Sequence, residues 1–179
     1  NTTFAELLAK TGKTLIMPAT NLTMARTDVF SPETTPDVPI KDALTLTTDI
    51  PLFFTAQTYS AAAHEAQCTY TDGGLLNNLP TDLVPQPSIA INLTAPSPAP
   101  QSTANLSDYL YTLLETMSNE IDGLRTRHGE ILDVNTGPIA ATDFDLTFPK
   151  KVGLIKKGYD AAKRWKPPAS MMFASLDKV

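Results

Sequence analysis

Short apolar runs, too brief to be helices, are the feature of this sequence that most constrains its fold. The segment 13–22 has nearly continuous apolar content around Pro18, which predicts a strand covered on both faces and interrupted at the proline. Three further runs predict strands, at Cys68–Thr71, Ser88–Thr94 and Ile131–Val134. A chain built on such strands must cover them with other elements.

Helical segments alternate with these runs. Thr3–Ala9 has helical spacing and precedes Gly12, a residue suited to a helix C-cap, and a short helix is predicted over Ile40–Thr47. The clearest helix spans Leu106–Leu124, where an apolar stripe predicts a core-facing side. A basic helix is predicted over Lys150–Trp165. Strands and helices in this order predict an α/β fold.

The overall composition excludes some classes of function. The chain has 179 residues and a formal net charge of −5, which disfavours a nucleic-acid partner because phosphate contacts require clustered cations. It has no apolar run of the roughly 18–20 residues that span a bilayer and no signal peptide, so any membrane contact is expected to be peripheral. A cytoplasmic or peripheral membrane location is favoured. The histidines and the single cysteine stand apart, and no metal site is predicted.

One tripeptide, Asp72-Gly73-Gly74, is a candidate for chemistry. Alone it most often indicates a hairpin turn. Here it follows a predicted buried strand, and Asn77, Asn78 and an apolar stretch surround it. Catalytic groups of α/β proteins tend to lie at strand ends, so a catalytic carboxylate is the competing interpretation.

Several ordered motifs resemble the C-terminal part of patatin-like phospholipases. The match is dense over residues 3–80, thin over 81–137 and moderate over 138–165. The matching motifs are Thr3-Phe4-Ala5-Glu6-Leu7, Leu15-Ile16-Met17-Pro18-Ala19-Thr20-Asn21, Phe30-Ser31, Thr35-Pro36-Asp37-Val38-Pro39-Ile40, Asp42-Ala43-Leu44, Ile50-Pro51-Leu52-Phe53-Phe54, Tyr70-Thr71-Asp72-Gly73-Gly74-Leu75-Leu76-Asn77-Asn78-Leu79-Pro80, Asp143-Phe144-Asp145-Leu146 and Leu154-Ile155-Lys156-Lys157-Gly158-Tyr159-Asp160-Ala161-Ala162.

This resemblance implies a lipid acyl hydrolase of the phospholipase A type that needs no cofactor. In the family a serine of a Gly-x-Ser-x-Gly turn attacks the ester, and the aspartate that matches Asp72 acts as its base. Gly73, Gly74 and Asn78 match the supporting loop. The implied fold is a three-layer α/β/α domain with a central, mostly parallel sheet, of which residues 1–165 form the C-terminal part, with a Pro-rich loop at 94–104 and a tail at 166–179.

The sequence departs from the family pattern because it contains no Gly-x-Ser-x-Gly. We therefore expect the serine to come from an N-terminal half of the domain, in the same precursor or in a partner chain. The alternative is a catalytically inactive patatin-like subunit of a larger assembly. What precedes Asn1 in the gene would separate the two.

A basic cluster near the C-terminus is a second candidate site. Lys156, Lys157 and Lys163 lie near Trp165, a combination typical of a helix that rests on an anionic lipid surface. A solvated helix face is the simpler interpretation and the favoured one.

Overall fold

A computed structural model describes residues 1–60, 66–95, 103–139 and 142–166. The chain divides into two compact units, Asn1–Leu83 with Ser102–Thr126, and Val84–Gln101 with Arg127–Val179. The elements in chain order are α1 (Phe4–Thr11), β1 (Met17–Asn21), β2 (Arg26–Phe30), α2 (Ile40–Thr48), β3 (Gln57–Tyr59), β4 (Cys68–Thr71), α3 (Gly74–Asn77), a 3-10 turn (Thr81–Leu83), β5 (Ile89–Thr94), α4 (Leu106–Leu124), β6 (Glu130–Asn135) and α5 (Phe148–Arg164).

The two sheets differ in strand direction. The first unit holds four strands in the order β2-β1-β4-β3, and every pairing among them is antiparallel. The second unit pairs β5 with β6 in parallel, from Ile89 opposite Glu130 to Thr94 opposite Asn135. The α/β class is confirmed, and among the described residues the parallel pairing is that of β5 with β6. The four-residue turn between β1 and β2 permits only an antiparallel pair.

The core of the first unit forms where α1 and α2 pack on the sheet. Thr3 caps α1 in a capping box with Glu6, and Gly12 ends the helix in the left-handed conformation at φ 66°. The fully buried side chains include Phe4, Ala19, Phe30, Val38, Ala43, Leu46 and Tyr70. The predicted helices α1 and α2 and the predicted strands β1 and β4, which supply most of these residues, are confirmed.

Pro18 lies in β1, an inner strand of the sheet. It pairs with Val29 of β2, whereas the ladder between β1 and β4 includes only Thr20 and Asn21. The missing proline N–H therefore has no strand opposite it on the β4 side. This is the interruption that the sequence predicts.

Some predictions are wrong. The apolar stripe of α4 is not core among the described residues, because Leu106 is 72% exposed and Met117 is 53% exposed. Phe53 and Phe54, for which core packing is the safer expectation, are about half exposed. Strands β2 and β3 were not predicted, because their polar residues hide a period-2 pattern.

Two boundary predictions fall largely outside the described residues. Of the Pro-rich loop at 94–104, positions 96–102 are not described, and of the tail at 166–179, only Lys166 is described. Within the described part of the chain, no helix combines the length and apolarity required to cross a membrane.

Candidate active site

Asp72 lies directly after β4, where the chain turns into α3. Its backbone N–H donates to the Asp49 carbonyl at 3.0 Å, and its carbonyl accepts from the Thr20 hydroxyl at 2.8 Å. Because Asp-Gly-Gly leads from a strand into a helix, it is not a hairpin turn. The backbone of Asp72 is therefore fixed from two sides, by α2 and by β1.

The Asp72 carboxylate is partly buried and has one strong intramolecular partner. Its Oδ1 accepts from the Gly74 backbone N–H at 2.6 Å. Burial raises the pKa of Asp72, the charge of Asp49 raises it further, and the Gly74 hydrogen bond acts in the opposite direction. The net result is a carboxylate that binds a proton more tightly than an exposed aspartate, which is what a base toward a hydroxyl requires.

Position 73 has no room for a side chain. It is buried, and a Cβ there would collide with the Pro18 carbonyl and lie 2.9 Å from the Thr47 hydroxyl. Its N–H donates to the Thr47 carbonyl at 3.2 Å. A Cβ on Gly74 would lie 2.8 Å from Asp72 Oδ1 and 3.1 Å from Asn78 Oδ1. Both glycines therefore let the backbone approach the carboxylate closely.

The segment after the loop is held by polar contacts. Asn77, rather than Asn78, is the buried asparagine, and its amide donates to Asp82 at 3.1 Å. Arg125, directly after α4, donates through Nε to the Leu76 carbonyl at 2.9 Å and through Nη1 to Asp82 at 3.3 Å. Asn78 is exposed and lies beside Gly74.

Asp49 is a residue of this region that sequence reasoning misses. It is the C-cap of α2, it is 8% exposed, and its Oδ2 is buried without a hydrogen-bond partner. Burial raises the pKa of Asp49, while a hydrogen bond from Gln57 opposes the rise. An aspartate at the end of an amphipathic helix is ordinarily solvated, so no sequence signal marks this one.

An apolar hollow of about 290 Å³ adjoins the Asp72 loop and shares Thr71 and Leu75 with it. Leu52 adopts φ 71°, a left-handed conformation that costs a leucine about 1–2 kcal/mol, and its side chain is 52% exposed. Strained residues tend to collect at functional sites. The hollow is lined by Leu22, Pro51, Leu52, Phe54, Ala56, Thr71, Leu75 and Leu114.

The basic residues predicted as a lipid contact lie on α5 and at its C-cap, Trp165, in the second unit. Lys156 and Lys163 are exposed, whereas the Lys157 ammonium donates to the Thr136 carbonyl at 2.7 Å. Trp165 is partly buried. The same helix exposes four large apolar side chains: Phe148 (79%), Val152 (46%), Ile155 (72%) and Tyr159 (65%).

Comparisons with known proteins identify the relatives of this chain. Residues 1–85 match the family model described as patatin-like phospholipase. The "Probable lipid hydrolase 463L" of Invertebrate iridescent virus 6 is 42% identical over 81 residues, which are 45% of this chain and 26% of that protein. The crystal structure of VipD from Legionella pneumophila aligns with a TM-score of 0.62 at 18% identity, covering 90% of this chain and 34% of VipD.

These matches confirm the predicted resemblance to patatin-like phospholipases over residues 1–85, the half that contains Asp72. The VipD alignment supports the fold alone. The chain spans about a quarter of the viral protein and a third of VipD.

Proposed function

We propose that this protein is a lipid acyl hydrolase of the phospholipase A type, in which Asp72 is the base that activates a serine. The observation that carries the proposal is the Asp72 carboxylate itself. It lies at a strand end, partly buried, with its pKa raised by burial and one oxygen held by Gly74. The matches to lipid hydrolases over the segment that contains Asp72 support the substrate class.

In the proposed reaction, Asp72 takes the proton of the serine hydroxyl as the serine oxygen attacks the ester carbonyl. The tetrahedral intermediate collapses, the bond to the alcohol breaks, and the alcohol leaves with the proton from Asp72. Water then attacks the acyl-serine and gives a proton to Asp72. As the bond to the serine oxygen breaks, Asp72 returns that proton to the serine, and the fatty acid is released. The raised pKa of Asp72 suits it to both directions of transfer, since a good base must also return its proton.

The 179 residues contain no Gly-x-Ser-x-Gly, so we propose that the serine and its oxyanion hole come from an N-terminal half of the domain, in the same precursor or on a partner chain. The Asp72 carboxylate is partly exposed, which suits a base that receives a nucleophile from another segment. The competing proposal, an inactive patatin-like subunit, predicts no hydrolysis from any assembly containing this chain.

The apolar hollow beside the loop is suited to part of an acyl chain. Small-molecule pockets usually enclose about 300–1,000 Å³, so a hollow of about 290 Å³ fits a short or medium acyl segment. Its walls are almost wholly apolar, and Leu75 lies three residues from Asp72. An ester bound with its acyl chain there would have its carbonyl near the loop.

We also propose peripheral contact with anionic lipid through α5. Helical spacing places Phe148, Val152, Ile155 and Tyr159 on one face, with Lys156 and Lys163 along its edge. This combination of an exposed apolar stripe and flanking lysines is typical of helices that lie in a lipid interface.

The test is hydrolysis by the full-length protein, together with its partner chain if the serine lies there. We expect release of free fatty acid from a phospholipid or a p-nitrophenyl ester, and Asp72→Asn should reduce the release by at least about 100-fold, the lower range for loss of a positioned base. Asparagine keeps the size of the side chain but cannot accept the proton.

Asp37→Asn, at an exposed position, is the matched control and should retain the native rate. Equal turnover by native protein and Asp72→Asn would refute the dyad. Absence of turnover in both, with the serine-bearing half present, would favour the inactive subunit.

A further inference from the structure

We propose that Asp49 is a positioning residue for Asp72, acting through two groups: its backbone carbonyl, which holds the Asp72 amide, and its buried carboxylate at the same strand end. The inference rests on the proposed function only where it treats Asp72 as a base. The contact between the two residues is a property of the fold.

The backbone carbonyl of Asp49 binds the end of β4 at two points. It accepts from the Asp72 N–H at 3.0 Å and from the buried Thr71 hydroxyl at 2.6 Å. These bonds join the C-terminus of α2 to the residue that precedes the catalytic loop and to Asp72 itself. The position of the Asp72 backbone is therefore set by the residue that carries the second carboxylate.

The position of the Asp49 carboxylate is energetically unfavourable for a residue that only supports the fold. It is the C-cap of α2, where the helix dipole disfavours a negative charge. Its Oδ2 is buried with no hydrogen-bond partner, an arrangement that proteins rarely tolerate. A small apolar side chain would avoid both costs, so the carboxylate does not favour stability at this position. Costly charged groups of this kind concentrate at functional sites.

The Asp49 carboxylate affects Asp72 electrostatically. The charge of Asp49 raises the pKa of Asp72, in addition to the larger effect of burial. The interaction between the two charges is mutual, so an ionised Asp49 opposes the loss of the proton from Asp72. A second carboxylate therefore makes Asp72 a stronger base without contacting substrate.

Two uncharged donors oppose this effect within the described part of the chain. Asp49 receives a hydrogen bond from the Gln57 side chain of β3, and the Asp72 carboxylate receives one from Gly74. The charged residues of α2, Lys41 and Asp42, pair with each other at 2.6 Å. No cation of the described residues is among the groups that shift the pKa of either aspartate.

The test is a 13C NMR titration of the aspartate carboxyl carbons, without substrate. In the native protein the midpoint of Asp72 should lie above the ordinary aspartate value. Asp49→Asn keeps the backbone carbonyl and the side-chain size but removes the charge, so the Asp72 midpoint should shift to lower pH. The control Asp37→Asn should leave the Asp72 midpoint unchanged.

An unchanged Asp72 midpoint in folded Asp49→Asn would overturn the proposal. If that variant does not fold, the native curve decides: the Asp72 curve should depart from a single-site titration as Asp49 ionises, and a simple single-site curve would overturn the proposal. Hydrolysis is a separate readout. A shifted midpoint in a protein without hydrolytic activity would refute the proposed function and leave the role of Asp49 standing.

Discussion

The loop around Asp72 and the surface of α5 differ in how they use their residues. Around Asp72, glycines, backbone carbonyls and buried polar groups are packed so closely that a single added carbon would collide. On α5, four large apolar side chains are between 46% and 79% exposed, and both Gly153 and Gly158 have open space around the position of a Cβ. One region specifies the position of a functional group, and the other presents an extended surface.

Because of this difference, the two regions should respond differently to substitution. A change near Asp72 should act through geometry, at one atom. A change on α5 should act through area and charge, summed over several residues. Identical substitutions made in the two regions should therefore have opposite or unrelated consequences.

The largest expected contrast comes from replacing one glycine by alanine in each region. Gly73→Ala should lower the free energy of unfolding by about 1–3 kcal/mol, because the added methyl group meets the Pro18 carbonyl and backbone cannot easily move aside. Gly153→Ala on α5 should raise it by about 0.5–1 kcal/mol, since alanine is the better helix former. Urea unfolding of both variants measures the contrast, and a tolerated Gly73→Ala would show that the loop is not closely packed.

The second contrast concerns vesicle binding. Replacing Lys156 and Lys163 together by glutamine should weaken binding to vesicles containing anionic lipid by about 30-fold, since each lysine near such a surface contributes about 1 kcal/mol. Binding to neutral phosphatidylcholine should change little. Co-sedimentation with the two kinds of vesicle measures this.

Lys10 and Lys13, exposed in the first unit, provide the control. Their double replacement changes the net charge equally and should leave binding intact. If the two double variants bind alike, net charge rather than the α5 surface determines the interaction.

The smallest expected contrast tests the contacts that Arg125 makes with α3 and with Asp82. Arg125→Lys should lower the free energy of unfolding by about 0.5–1.5 kcal/mol, because lysine cannot reach both the Leu76 carbonyl and Asp82. Arg26→Lys should have a smaller effect, since its guanidinium bonds Asp28 alone and is largely exposed. Thermal unfolding compares the two, and equal losses would show that the Leu76 contact adds nothing.

Local signals explain what the sequence could predict. Helix α1 has its capping box and Gly12, α4 has its stripe and Asn105 cap, and β4 leads into a recognisable motif. Each of these depends on neighbours in the chain, so a pattern can reveal it. The position of Asp72 in the candidate site was predictable for the same reason.

The remainder depends on distant contacts. Asp49 acquires its significance from burial against β4, 22 residues away along the chain at Thr71, and nothing near it signals that burial. The exposure of the α4 stripe could not be predicted because periodicity shows that a face is apolar, not what covers it. The antiparallel pairing of β1 with β2 was not predicted either, because β2 was not recognised as a strand.

The hydrogen bond from Gly74 makes the two oxygens of the Asp72 carboxylate unequal. Oδ1 accepts from a backbone donor at 2.6 Å, so Oδ2 keeps the greater capacity to accept a further hydrogen bond. In the proposed reaction the Oδ2 side is therefore the favoured approach for the nucleophile, because backbone fixes Oδ1. The proposed proton transfer thus has a preferred side before any alcohol binds.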